Sequence, residues 1–237
     1  MKDAYSFDKD LEGLDVSYKK MFNAYKNSFD KMGIKYRIVK ADTGVMGGLL
    51  SEEFQAETAI GEDTLVLCDK CDFSSNLEIT KHVYNEISNA KELEKELVET
   101  IDKHTIEEVS EYLNINIEDT VKAMIMNVDN ELVIFFVRGN RELNETKALK
   151  LLNAKEISFA NDELINKSNA IPGFTGPIDL NCKVVIDDEI LTMRNFCCGA
   201  NKKNYHYINV NIIDIKYDLV GDIVNVKEGD IDRKSVV

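Results

Sequence analysis

Lysine 122 is the first residue of this sequence whose surroundings suggest chemistry. It lies where a short helical stretch, opened by Asn116 with Asp119 three residues later, runs into an apolar strand. On position alone, a lone lysine there is a surface residue whose stem packs while its ammonium stays in water. The segment 171–177, IPGFTGP, holds both prolines of the chain together with Gly173 and Gly176. Rigid and permissive residues in one loop fix an irregular backbone with amides and carbonyls facing outward, although a plain connecting turn has the same composition. Cys68 and Cys71 form a CxxC, but no second CxxC or His pair completes four zinc ligands, and DKCDFSSN supplies no clear helix N-terminus for redox chemistry. Cys197-Cys198 has no partner pattern either, so packed thiols are expected at all four positions.

No serine, cysteine and histidine arrangement stands out as a nucleophile with its base, and no carboxylate pair can be given acid and base roles. A bond hydrolysed here must already be activated. The protein would have to place it, exclude the wrong side chain and donate hydrogen bonds to the developing oxyanion.

Several elements would position these residues. Apolar runs on both sides of Asp129-Asn130, a dipeptide suited to a tight turn, predict a buried hairpin. The second strand ends over 137–140, and Asn144 caps a further helix. Leu14, Tyr18, Met21, Phe22, Tyr25, Phe29 and Met32 are spaced as one helical face, stopped by Gly33. Strands are predicted at 34–41 and from Gly61, with flexible glycines before the polar, strand-like SEEFQAET. Residues 81–100, rich in Lys and Glu, read as a solvated helix or connector, and His82 within it and His104 just beyond it are expected to be exposed. Thr105 with Glu108 forms a capping box. Beyond it come helical ALKLL, a short strand EISFA, a capped helix NDELINK, and strands KVVIDDEIL and YHYINVNIIDI. Hairpins interleaved with helices predict an α+β fold with a mixed sheet.

At 237 residues the chain can hold one large domain or two ordinary ones, and 44% hydrophobic with 30% charged residues makes it globular. No run approaches a membrane span, and MKDAYSFDKD lacks the features of a signal peptide, so a cytoplasmic location is expected. Five cysteines in a chain this long are not a disulfide framework. A net charge of −14 argues against gripping nucleic acid over a wide surface, but leaves room for a pocket that takes one terminal nucleotide.

TVKAMIM and FFVRGNRELNETKALKLL, followed in order by GFTGP, VVID, CCGAN and YHYINVN, resemble the editing domain inserted into bacterial-type prolyl-tRNA synthetases, which is similar to free-standing YbaK-like deacylases. MKDAYSFDKD looks like the segment after motif 2 of those enzymes, and VGDIVNVKEGD like the return to their catalytic domain. The resemblance implies a partial class II catalytic domain with an antiparallel sheet at 1–80, a connector at 81–103, a YbaK-like editing domain at 104–215 and a truncated return segment at 216–237. It implies hydrolysis of alanyl-tRNA(Pro), with Lys122 contacting the terminal nucleotide and the loop of Gly173, Phe174, Thr175, Gly176 and Pro177 placing the ester or a water. His206 would shape the side-chain pocket. Gly199 and Asp187 would lie beside the site, and Arg138 is a candidate second cation. By itself His206 would more often be a packed strand histidine.

The implied partners are the alanine-bearing acceptor end of tRNA(Pro) and a full-length synthetase or its missing parts, with no membrane. No cofactor or metal is expected for editing; ATP and Mg2+ belong only to an intact synthetase. The motif 2 arginine would lie before Met1, motif 3 and the anticodon-binding domain after Asp230, and Glu52 stands where the family commonly has histidine. Proline activation is therefore expected to be lost. Two other readings remain: a sensor binding an amino acid or tRNA end without catalysis, and an inactive synthetase fragment whose unpaired sheet edge makes it poorly soluble.

Overall fold

A computed structural model describes residues 4–43, 51–58, 60–84 and 87–231. The glycines expected to be flexible at 44–48 lie outside the described residues. The chain divides into two compact units, 1–77 and 78–237.

In the first unit, α1 (Leu11–Met32) starts at Asp10, whose carboxylate accepts from the Gly13 amide, and stops at Gly33 with φ 70°. Phe22, Tyr25 and Phe29 of α1 contact the ring of Phe54, with centroids 5.3 to 5.9 Å apart. The Tyr18 hydroxyl donates to Glu52 at 2.7 Å. The four-stranded sheet runs in the order β2 (Glu52–Ala56), β1 (Tyr36–Lys40), β4 (Ser74–Asn76), β3 (Leu65–Leu67). Its pairings are antiparallel except β1 with β4, where Lys40 lies parallel to Ser75. Cys68 and Cys71 are thiols in the β3–β4 connection.

The second unit holds two sheets. One has five strands, β12 (Leu219–Gly221), β9 (Lys183–Asp187), β7 (Glu131–Arg138), β6 (Val121–Val128) and β8 (Ile157–Phe159), mixed in direction as expected. The other has three antiparallel strands, β10 (Phe196–Gly199), β11 (Tyr205–Val210) and β5 (Glu96–Glu99). The β6–β7 hairpin turns at Asp129 and Asn130, both with positive φ, 48° and 71°, which these short polar side chains tolerate. β7 is buried on both faces. Ile134 and Phe136 join one core with Val121, Ile186, Phe196 and Val210, while Val133, Phe135 and Val137 join another with Met126, Val185 and Val224. Each such side chain stabilises the fold by roughly 1.5–3 kcal/mol.

Among the described residues, three α-helices complete this unit: α2 (Ile106–Leu113), α3 (Glu145–Leu152) and α4 (Asp162–Ile165). Thr105 and Glu108 form the expected capping box, and Asn144 and Asn161 cap the other two. Two segments differ from expectation. Residues 96–99, read as connector, are strand β5, because Glu96–Glu99 pairs along β11. Residues 219–221, read as part of a return segment, add β12 to the edge of β9. Among the described residues, no helix is long and apolar enough to cross a membrane.

Candidate functional site

A cleft of about 170 Å3 lies between β6 and the β10–β11 pair. β8 pairs only with Met126, Asn127 and Val128 of β6, and at the other end Thr120, just before β6, bridges in parallel to Cys197 of β10. Between these two contacts, Lys122 and Ala123 form one wall of the cleft. The N-terminus of α2 with His104 and Thr105, the bend residues Gly173 and Thr175, and Gly199 and His206 from the smaller sheet form the rest.

The bend is held by close backbone packing. A Cβ at Gly176 would fall 1.7 Å from the Gly199 carbonyl oxygen, and one at Gly199 would fall 2.3 Å from Phe174 backbone, so both positions require glycine. The hydrogen bonds of the bend can be followed amide by amide. Phe174 N–H donates to Ile171 O at 2.8 Å, Gly176 N–H donates to Asn201 Oδ1 at 2.9 Å, and Pro177 has no N–H. Among the described residues, the amides of Gly173 and Thr175 have no acceptor within the protein. These are the two bend residues that line the cleft.

Lys122 lines the cleft, and its ammonium donates to Glu142 Oε1 at 2.8 Å. Val121 packs in one core with Ala123 and Ile125 beside it, while Met126 and Val128 pack in the other with Met124. By this alternation the Lys122 stem leaves β6 on the Met124 face. Its ammonium is paired with a carboxylate that is 72% exposed.

His206 is buried, with Nδ1 2.6 Å from the Thr100 hydroxyl oxygen. Burial, and then the nearby His104, push its pKa down to about 4, so the imidazole is neutral at physiological pH. Phe174, almost wholly buried, lies under the cleft with its ring 4.9 Å from that of His104 and 5.6 Å from that of His206. Pro177 is buried outside the lining, its carbonyl accepting from Lys216 N–H. Cys197 and Cys198 reach the cleft, but burial pushes Cys197 up to about 12 and Cys198 well above its ordinary value. Neither is a ready thiolate nucleophile.

Arg138 and Asp187 do not line the cleft; they belong to a buried cluster of charges. The Arg138 guanidinium donates to Glu118 O at 2.6 Å and to Glu189 at 2.9 Å, which leaves it no role as a second cation in the cleft. Asp187, wholly buried, accepts from the amides of Glu189 and Ile223, and burial pushes its pKa up to about 7. His82, expected to be exposed, is also buried here. Arg141 contacts His82 Nε2 at 2.6 Å, Glu189 at 3.0 Å and Asp230 at 2.6 Å. Ligand atoms of His82, Asp187 and Glu189 lie within 4.8 Å of one another, a spacing that could hold a metal ion. The Arg141 guanidinium already supplies the positive charge between His82 and Glu189.

Three contributors escaped the reading of the sequence. His104 stands beside the capping threonine and was assigned to polar surface. Thr100 carried no signal at all. Asn201 was visible only as the last residue of CCGAN.

A family model described as the aminoacyl-tRNA editing domain matches residues 100–214. This chain carries a member of the aminoacyl-tRNA editing domain family. Over 98% of its length it is 41% identical to a proline–tRNA ligase of Caldicellulosiruptor saccharolyticus, covering 41% of that protein. It is 44% identical over 97% of its length to the ligase of Thermoanaerobacter pseudethanolicus, covering 41% of it, and 40% identical over 99% of its length to that of Finegoldia magna, covering 42%. The chain thus corresponds to a region of bacterial-type prolyl-tRNA synthetases that contains the editing domain, and spans about two fifths of the length of the curated relatives it matches. The cleft lies within this editing domain: its lining residues, His104 to His206, all fall inside the matched segment.

Proposed function

We propose that the editing domain hydrolyses the ester of alanyl-tRNA(Pro) and leaves prolyl-tRNA(Pro) intact. The observation that carries this is the convergence, in one small cleft, of Lys122, the two unspent amides of the 173–177 bend and the neutral His206. An aminoacyl ester is already activated and has a ribose hydroxyl beside it. It needs placement and oxyanion donors more than it needs a nucleophile. The Gly173 and Thr175 amides are suited to that donation. Lys122, released from its exposed pairing with Glu142, would meet the phosphate of the terminal nucleotide as a point charge.

A volume of about 170 Å3 is well below that of ordinary ligand pockets, roughly 300–1,000 Å3, and suits a small amino-acid side chain. Alanine is smaller than proline, so a synthetic site cannot exclude it by size, and a hydrophobic pocket gains only about 1–3 kcal/mol per methylene. A second site too tight for proline removes the error. The ligase activity named for the relatives belongs to proteins of which this chain spans about two fifths, and the proposal concerns hydrolysis alone.

The test follows release of free amino acid from alanyl-tRNA(Pro) and prolyl-tRNA(Pro) side by side. Release of alanine with prolyl-tRNA spared supports the proposal. Tight binding of the charged end without turnover would replace it with the sensor reading.

A further inference from the structure

We propose that Asn201 is the positioning residue of this site: it holds the 173–177 bend so that the amides of Gly173 and Thr175 are presented to the substrate. The inference rests on the deacylase reading and names the residue on which its geometry depends.

Asn201 lies in the turn between β10 and β11 with φ 51°, a left-handed conformation that asparagine tolerates better than most residues. In that conformation its backbone N–H donates to Phe174 O at 2.8 Å. Its carboxamide spans the bend. Oδ1 accepts from Gly176 N–H at 2.9 Å, while Nδ2 donates to Gly176 O at 3.0 Å and to Ile178 O at 2.5 Å. One residue thus makes four hydrogen bonds to a segment that belongs to no helix or strand.

The residue type follows from the task. A carboxamide offers an acceptor and two donors in one plane, aspartate lacks the donors, and serine has a single hydroxyl. By taking both the N–H and the C=O of Gly176, the Asn201 carboxamide fixes the peptide planes on either side of Gly176, and its backbone N–H, bound to Phe174 O, fixes the plane that carries the Thr175 amide. The other ties inside the bend, Phe174 N–H and Thr175 Oγ1 to Ile171 O, act only from its beginning. Asn201 does not line the cleft; it borders a separate hollow with Asn169, Ile178, Ala200 and Tyr207. It therefore acts on the reaction through the bend.

The experiment uses the full 237-residue chain and measures steady-state hydrolysis of alanyl-tRNA(Pro) by the parent, Asn201→Gly and Asn201→Asp. Glycine accepts the backbone angle and removes every side-chain bond; aspartate keeps the acceptor for Gly176 N–H. Expected for Asn201→Gly is a fall in kcat of about 10- to 100-fold with KM within about twofold, since misplaced donors cost rate rather than binding. Asn201→Asp should fall between the two, and exchange of the Gly176 amide with solvent should quicken in the same order. A kcat for Asn201→Gly within about twofold of the parent, or a loss confined to KM, overturns the assignment. Should the glycine variant fail to melt cooperatively, the aspartate variant decides, and a kcat equal to the parent's rejects the role. A parent without turnover removes the deacylase reading and this inference together, whereas an active parent with unaffected variants removes this inference alone.

Discussion

The cleft and the buried charge cluster of the second unit spend their polar groups in opposite ways. In the cluster, Arg141 is shared by His82, Glu189 and Asp230, Arg138 also binds Glu189, and Lys147 donates to Asp222 and to Val224 O. Its arginine and lysine donors are consumed within the protein, although His82 Nδ1 is buried without a partner among the described residues. The cleft has far fewer charges, yet it keeps two amides unspent, a neutral imidazole, and an ammonium held only by an exposed carboxylate. The density of charged residues therefore marks where chain segments are tied together, and the unspent donors mark where a ligand fits.

That contrast predicts different consequences when each region is damaged. Arg141→Ala should cost about 3–5 kcal/mol of stability, because it strands Glu189 and Asp230 with a lost partner in a buried setting. A urea midpoint measures the loss, and hydrolysis per folded molecule should stay within about twofold. Lys122→Ala should do the reverse. Alanine release should fall at least about 100-fold, equivalent to ~2.7 kcal/mol at the transition state, while the urea midpoint hardly moves. Unchanged release would remove Lys122 from the site.

Acidity separates the regions with opposite signs. His206 in the folded protein titrates at about 4 rather than near 6.5, so between these values the unfolded chain binds more protons, and stability is lost as pH falls through the window. Asp187 titrates at about 7 rather than 3.8, so its folded form binds more protons and stability is lost as pH rises through that window. Relative to the parent, His206→Asn should gain stability at pH 4.5 compared with pH 7, and Asp187→Asn should gain at pH 7.5 compared with pH 4.5. Each difference should be about 1–2 kcal/mol after discounting for solvent screening. Denaturant titrations at the paired pH values check both, and equal slopes in parent and variants would contradict the assigned environments. The smallest effect is expected from Glu142→Gln. It removes an exposed ion pair worth less than about 1 kcal/mol, frees the Lys122 ammonium, and should lower the KM for charged tRNA by about twofold.

Features that depend on neighbours in sequence were legible in it. The Asp129-Asn130 hairpin, the Thr105–Glu108 capping box, the Asn144 cap and the Gly33 stop are each fixed by residues within a few positions. Features that depend on distant partners were not. Glu96–Glu99 is polar enough to read as connector and becomes a strand only because β11 lies beside it. His82 is buried by Arg141, a partner 59 residues away. The site was legible where resemblance covered it, at Lys122, the 173–177 bend, Gly199 and His206. Asp187 and Arg138 were assigned to it because they end strands near its motifs, and a strand end does not reveal which partner its side chain meets. Asn201 contacts its partners across 25 residues through a carboxamide, and composition alone gives no sign of that.

Val83 forms a bridge with Ile231, so the two leads of the 83–231 stretch emerge side by side, about 5 Å apart. A module with adjoining leads can be spliced into a surface turn of a larger protein without prying its scaffold apart. Portability of this kind comes from a single pair of residues, and it asks nothing of the recipient beyond an accessible loop.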